Sequence, residues 1–106
     1  NSQNIANTVW AFATVGIMKA DPLFDSIAEA VLSKLDSFDA QSLANTLWAF
    51  TCFEWPDIDF FRVVLTTAAR KQDEFDEIGQ SQLRVVSSYL RSRFPGQAFP
   101  FAYSKK

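Results

Sequence analysis

A short segment near the amino terminus recurs, with few changes, later in this chain. Residues 2–17 read SQNIANTVWAFATVGI, and residues 40–55 read AQSLANTLWAFTCFEW. At an offset of 38 residues the two segments share six identical positions within a run of seven, which amino-acid composition alone does not produce. A self-similarity of this period is typical of proteins built from stacked supersecondary units, so the chain is predicted to fold as a repeat.

Each copy is followed by a second apolar pattern with three- and four-residue steps, which predicts an amphipathic helix. Asp21 is placed to cap the first of these helices with Pro22 as its first residue, Pro56 starts or precedes the second, and Asp39 is placed to cap the second copy itself. The apolar positions of the two helices are Phe24, Ile27, Ala28, Val31, Leu32 and Leu35, then Phe60, Phe61, Val64, Leu65, Ala68 and Ala69. Each unit is therefore a helix A, a short turn and a helix B. The A helices are apolar around more than half of their circumference, which indicates burial on two sides.

A third, degenerate unit follows the second. Phe75-Asp76 echoes Phe38-Asp39, and a fifth helix is predicted from Leu83, Val86, Leu90 and Phe94. No B partner follows that helix. The expected fold is all-α, a short α-solenoid of antiparallel helix pairs with about 2.5 repeats, five main helices and an extended tail. Its expected divisions are repeat 1 at 1–38, repeat 2 at 39–74, a half repeat at 75–96 and the aromatic tail at 97–106.

Composition excludes several classes of function. The chain has no His, one Cys and three Gly, so it lacks the residues for His-based acid–base catalysis, a Cys/His zinc site, an internal disulfide or a phosphate-binding glycine loop. We therefore predict that it is not an enzyme and carries no cofactor or metal. Cys52, in an apolar run, is interpreted as a small buried hydrophobe. The uncharged first 18 residues contain too many polar side chains for a membrane span.

The repeated segments ANTVWAFATVGI and ANTLWAFTCFEW resemble the first helix of octotricopeptide repeats, the 38-residue helical repeats of organelle proteins, and the related repeats that precede RAP domains. The resemblance covers residues 2–71. It implies a helical solenoid, import into a chloroplast or mitochondrion, and a link to organelle RNA that many members of the family have.

Charge divides the chain unevenly and bears on the choice of partner. Residues 1–60 carry a net charge of −6 and residues 61–106 a net charge of +4. The short repeat array and its aromatic surplus favour a non-catalytic scaffold, a protein-docking subunit of a larger organelle assembly such as a photosynthetic complex or an organelle ribosome. The candidate docking residues are Arg62, Arg70, Lys71, Arg84, Arg91, Phe99, Phe101 and Tyr103. The tail is predicted to fold back on the fifth helix or to dock to a partner.

The alternative is RNA binding in organelle gene expression. Asn7-Thr8 and Asn45-Thr46 occupy equivalent places in the two units, as base-contacting side chains do in RNA-binding repeats; a recurring Asn can equally satisfy backbone groups at a seam between repeats. The acidic first half opposes the RNA interpretation, because affinity for phosphate comes from Lys and Arg. Trp10 and Trp48 are interpreted as core residues rather than as platforms for bases.

Overall fold

The computed structural model describes residues 6–8, 10–11, 22–97 and 99 of the 106-residue chain. Four α-helices are bounded within these ranges: α1 (Pro22–Ser33), α2 (Ala40–Cys52), α3 (Ile58–Arg70) and α4 (Glu77–Arg93). Short 3-10 helices cover Leu35–Ser37 and Gln72–Glu74, and residues 6–8 and 10–11 are also helical. The described residues contain no strand, which confirms the all-α prediction.

Helices α2 and α4 begin with the same local structure. The Asp39 carboxylate accepts a hydrogen bond from the Ser42 backbone N–H at 2.8 Å, and the Asp76 carboxylate accepts one from the Gly79 N–H at 2.8 Å. A buried phenylalanine precedes each cap, namely Phe38 and Phe75. Each Asp therefore satisfies one of the N–H groups that a helix leaves unpaired at its start. The predicted cap at Asp39 and the predicted echo at Phe75-Asp76 are both confirmed.

The turns that lead into these caps also match. Lys34 (φ −124°, ψ 19°) and Lys71 (φ −118°, ψ 20°) precede the two 3-10 helices. The Lys71 ammonium group donates a hydrogen bond to the backbone carbonyl oxygen of Phe38, which joins the second corner to the first. We refer to residues 34–39 and 71–76 as the two Phe–Asp corners; their backbone geometry repeats after 37 residues.

Helix α2 lies at the centre of the core. Its most extensive packing is against α4, it also contacts α3, and α1 in turn packs on α3. The ring of Phe50 is fully buried, with its centroid 4.4 Å from that of Phe60 and 5.3 Å from that of Trp55. Leu83 and Leu90 are buried on the facing side of α4. The prediction that an A helix is buried on two sides is confirmed for α2.

Helices α1 and α3 begin where the proline and aspartate residues of the sequence predict. Helix α1 begins at Pro22, the expected first residue. Pro56 precedes α3, and the cap is Asp57, whose carboxylate accepts from the N–H groups of Asp59 and Phe60. None of the helices in the described ranges is long and apolar enough to cross a bilayer.

Helix α2 ends at a residue with left-handed backbone geometry. Glu54 has φ 56°; its N–H donates to the Thr51 carbonyl at 2.9 Å, and the Trp55 N–H donates to the Phe50 carbonyl at 3.0 Å. This pair of bonds is a Schellman motif, which favours glycine at the left-handed position. The first copy of the repeat has Gly16 at the equivalent place, 38 residues earlier.

Replacing Glu54 by Gly is expected to stabilise the protein. Left-handed geometry costs a residue with a Cβ about 1–2 kcal/mol, and the greater freedom of glycine in the unfolded chain returns about 0.5–1 kcal/mol of that. Urea denaturation should give a free energy of unfolding about 0.5–1 kcal/mol higher for Glu54→Gly. Glu54→Ala keeps the Cβ and should show no gain; an equal gain for both variants would refute this explanation.

The two Asp caps are expected to contribute similar stability. Asp39→Ala and Asp76→Ala should each lower the free energy of unfolding by about 1 kcal/mol, because each leaves a helix N–H without its side-chain acceptor. Asp39→Asn and Asp76→Asn keep a capping oxygen and serve as controls with little change. Thermal unfolding followed by circular dichroism measures both effects, and an Asn variant as unstable as its Ala counterpart would contradict the capping role.

Candidate functional site: an uncharged surface on successive helices

Helix α2 reaches solvent along only one stripe. Residues at three- and four-residue spacing lie on one side of a helix, and that stripe consists of Gln41, Asn45, Trp48 and Cys52. All the remaining side chains of α2, from Ala40 to Thr51, are buried. A binding partner that contacts helix α2 must therefore do so through these four side chains.

Equivalent positions on the neighbouring helical segments continue this stripe. On α4 they lie 37 residues later and are Ile78, Gln82, Val85 and Tyr89; in the N-terminal helical segment they lie 38 residues earlier and include Asn7 and Trp10. The Gln82 Nε2 atom donates to Asn45 Oδ1 at 3.1 Å, and the rings of Trp10 and Trp48 lie 6.3 Å apart between centroids, tilted by 30°. We call these ten side chains the uncharged surface.

The uncharged surface is neutral at physiological pH. Its two titratable groups are the Cys52 thiol and the Tyr89 hydroxyl. Partial desolvation raises the pKa of Cys52, although the side chain still reaches solvent. Desolvation also raises the pKa of Tyr89, with a smaller opposing effect from Arg93 and a smaller reinforcing one from Glu54. Because both acids keep their protons more firmly than usual, neither contributes a charge near neutral pH.

Large apolar side chains are exposed on this surface. Trp10 is 42% exposed, Val85 49% and Ile78 66%, while Trp48 is half-buried and packs against the core. Apolar area of this kind, grouped on one side of a small protein, is typical of a binding site.

Side-chain amides lie between the apolar groups. Asn45 Oδ1 accepts from Gln41 Nε2 at 3.0 Å and from Gln82 Nε2 at 3.1 Å. Its oxygen thereby accepts twice, and among the described residues the two N–H groups of Asn45 Nδ2 donate to no other group, which leaves them for a ligand. This arrangement presents hydrogen-bond donors, rather than charges, in the middle of an apolar surface.

Several sequence-based interpretations need correction here. Trp10 is not a core residue, and Cys52 is exposed rather than buried, because both belong to the stripe that no described helix covers. Thr46 is fully buried, which removes it from any contact with RNA. Asn7 and Thr8 are exposed and Asn45 is half-buried, so those three candidates remain accessible.

The basic docking candidates do not form one patch of equivalent groups. Arg62 is held within the molecule: it contacts the Asp59 carboxylate at 3.4 Å, donates to Gln97 Oε1 at 3.1 Å, and lies 5.5 Å from the Phe99 ring centroid. Lys71 donates to the Phe38 carbonyl. Arg70, Arg84 and Arg91 are exposed; Arg70 donates to Thr67 Oγ1 and Arg84 to Ser81 Oγ, at 3.5 and 3.2 Å.

The described part of the tail folds back onto α3. Gln97 and Phe99 both contact Arg62, and the half-buried Phe99 packs against the core. Phe101 and Tyr103, the other two tail candidates, lie outside the described residues.

An open groove of about 640 Å³ lies between α3 and the first corner, and none of its lining residues belongs to the uncharged surface. Its exposed apolar side chains are Leu32 and Val63, and Lys34, Asp36 and Arg70 also line it. The groove mixes both signs of charge and has two exposed large apolar side chains where the uncharged surface has three, so the latter is the stronger candidate site.

Sequence reasoning missed Gln41, Ile78, Gln82, Val85 and Tyr89 as site residues. The signal was present in the Phe38/Phe75 echo, because an offset of 37 residues maps Gln41 onto Ile78 and Trp48 onto Val85. Among residues 22–97 and the other described positions, no group of three or more Asp, Glu or Cys side chains is placed to hold a metal ion.

No family model, curated protein or solved structure matches the chain. The interpretation of the site therefore depends on its own geometry and on the repeat.

Stability should separate the surface tryptophan from the core phenylalanine. Phe50→Ala removes a fully buried ring and is expected to cost about 3–5 kcal/mol, whereas Trp10→Ala removes a ring that is 42% exposed and should cost about 1 kcal/mol. Chemical denaturation of both variants measures the difference. A loss for Trp10→Ala as large as that for Phe50→Ala would place Trp10 in the core after all.

Proposed function

We propose that this chain is a non-catalytic helical-repeat docking subunit that binds an uncharged polypeptide segment of a partner protein through the uncharged surface. The observation that carries the proposal is the alignment of exposed apolar side chains and amides at equivalent positions of successive helices, with no charged residue among them. Depletion of charge and enrichment in aromatic residues are what distinguish the centre of a protein–protein interface from the rest of a surface.

The lack of charge on the uncharged surface favours a polypeptide ligand over a polynucleotide ligand. Nucleic-acid affinity comes largely from Lys and Arg placed against phosphates, and the ten side chains of the uncharged surface include neither. Arg93, whose charge acts on the Tyr89 hydroxyl, suits the rim of the interface, where charges affect the rate and salt dependence of association more than its strength. Arg84 and Arg91, exposed on α4, lie about 100–120° around that helix from Val85.

The repeat supports the wider architecture of the proposal. Two Phe–Asp corners with matching backbone geometry, 37 residues apart, are what an α-solenoid of about 2.5 units requires. The resemblance to octotricopeptide repeats supports placing this docking role in a chloroplast or mitochondrion, within an assembly such as a photosynthetic complex or an organelle ribosome.

RNA binding is the second candidate, and one observation favours it. The Trp10 and Trp48 rings lie together at equivalent positions, and the half-buried Asn45 is adjacent on the same stripe. Aromatic rings that stack bases, combined with amides that read base edges, are how helical RNA-binding repeats recognise single strands.

Selection from a random peptide library distinguishes the two candidates. Phage-displayed peptides selected on the intact chain should be uncharged, and Val85→Asp should weaken their binding about tenfold or more, because it puts a charge into an apolar contact. Val63→Asp makes the same change at a residue of similar exposure that lines the groove and not the uncharged surface, and should leave binding unchanged.

The wild type, the same two variants and Trp10→Ala are then titrated with a fluorescent oligouridylate at about 50 and about 200 mM salt. We expect weak binding at both concentrations. Micromolar or tighter binding to the RNA, lost in Trp10→Ala, together with no peptide selected above background, would replace the docking proposal by the RNA one.

A further inference from the structure

Helices α2 and α4 pack side by side in the same direction. Lys71 of the second corner contacts the Phe38 carbonyl of the first, where the two helices begin. Further along both helices, Gln82 donates to its counterpart Asn45. The caps also give the two helices the same rotation. Two helices with one direction and one rotation touch through opposite sides, so the contact leaves α4 with a side that corresponds to the α4-facing side of α2.

Burial identifies these sides. Helix α4 packs chiefly on α2, and the side that it buries there consists of Gly79, Leu83, Val86 and Leu90. Helix α2 is buried on the equivalent side and on a second side as well, and the second side is the one that faces α4. The residues of that second side are Ala40, Ala44, Leu47 and Thr51.

The corresponding side of α4 is polar and open to solvent. The residues 37 positions later are Glu77, Ser81, Arg84 and Ser88, all of them exposed, and the exposed Arg91 continues the same side. We call these five side chains the terminal face. The fully buried Leu47 of α2 thus corresponds to an exposed arginine on α4, whose guanidinium donates to Ser81 Oγ at 3.2 Å.

The charges of the terminal face oppose the packing of another helix. Among the described residues, neither Arg84 nor Arg91 forms an ion pair, and arginine stays ionised in proteins. A helix packed here would bury two guanidinium groups without carboxylate partners, which is strongly unfavourable. A second copy that approached with its own terminal face would also bring like charges together.

The described tail covers the neighbouring helix in a similar way. Helix α1 packs on α3, where Val63 and Thr67 line the groove next to it. Arg62 lies about 100–140° around α3 from those two residues, and it contacts Gln97 and Phe99. The tail therefore lies against a side of α3 that α1 leaves open.

We propose that the terminal face is a closed end, which keeps a second copy of this chain from stacking on α4. Repeat proteins need a polar outer face on a terminal unit, because copies that join head to tail without closing a ring form filaments. The closed end makes the protein a single-copy component of an assembly, whichever ligand the uncharged surface binds.

The test gives α4 the side chains that α2 has. Ser81→Ala and Arg84→Leu, combined in one variant of the intact chain, place the counterparts of Ala44 and Leu47 on the terminal face. Analytical ultracentrifugation is the measurement. The wild type should sediment as a monomer at about 10 and about 100 μM, whereas the double variant should be mostly dimeric or larger at both concentrations.

Arg70→Leu combined with Thr66→Ala is the matched control. It removes one arginine and one hydroxyl from exposed positions of α3, beside the apolar side chains of the groove, and it should remain monomeric. Circular dichroism checks that both double variants are folded.

Three results would overturn the closed end. The first is an α4 double variant that stays monomeric at about 100 μM, and the second is a control that associates as strongly as that variant. The third is a wild type that dimerises and that Arg84→Asp returns to the monomer, because the terminal face would then be an interface between copies.

Discussion

The Phe–Asp corners fix the rotation of the helices that follow them, and the candidate site depends on that rotation. Asp39 and Asp76 cap α2 and α4 at the same position relative to the preceding buried phenylalanine. Two helices that start alike present equivalent residues at the same angle around their axes. Asn45 of α2 therefore meets Gln82 of α4, its counterpart 37 residues later. A cap displaced by one residue would turn α4 by about 100° and bring a different side chain against Asn45.

Burial of α2 makes this alignment matter for function. Only four of its side chains between Ala40 and Cys52 reach solvent. The pKa values of the Cys52 thiol and the Tyr89 hydroxyl are raised, so both groups stay neutral. The result is a surface of rings, aliphatic groups and amides, with no charged side chain among its ten residues. Desolvating such a surface on binding is inexpensive, since amides and rings lose far less hydration free energy than ions do.

Local signals in the sequence were enough to predict the helices and their starts. Asp39 before an apolar period, Pro22 at a first helical position and the recurrence of Phe-Asp each have a direct physical meaning, and each is confirmed. The burial of Trp10 and Cys52 was predicted wrongly because an apolar helix face does not reveal which neighbour covers it. The sequence could not show that Arg62, a docking candidate, is held within the molecule. Its contact with Gln97 joins positions 35 residues apart, and no local pattern encodes such a contact.

The central claim is that equivalent side chains of successive units contact each other across the uncharged surface. A double-mutant cycle on Asn45→Ala and Gln82→Ala tests it most directly, with the free energy of unfolding of both single variants and of the double variant measured in urea. The hydrogen bond between the two amides predicts a coupling energy of about 0.5–1.5 kcal/mol. A coupling indistinguishable from zero would mean that α2 and α4 do not stand in this register, and the uncharged surface would lose its basis.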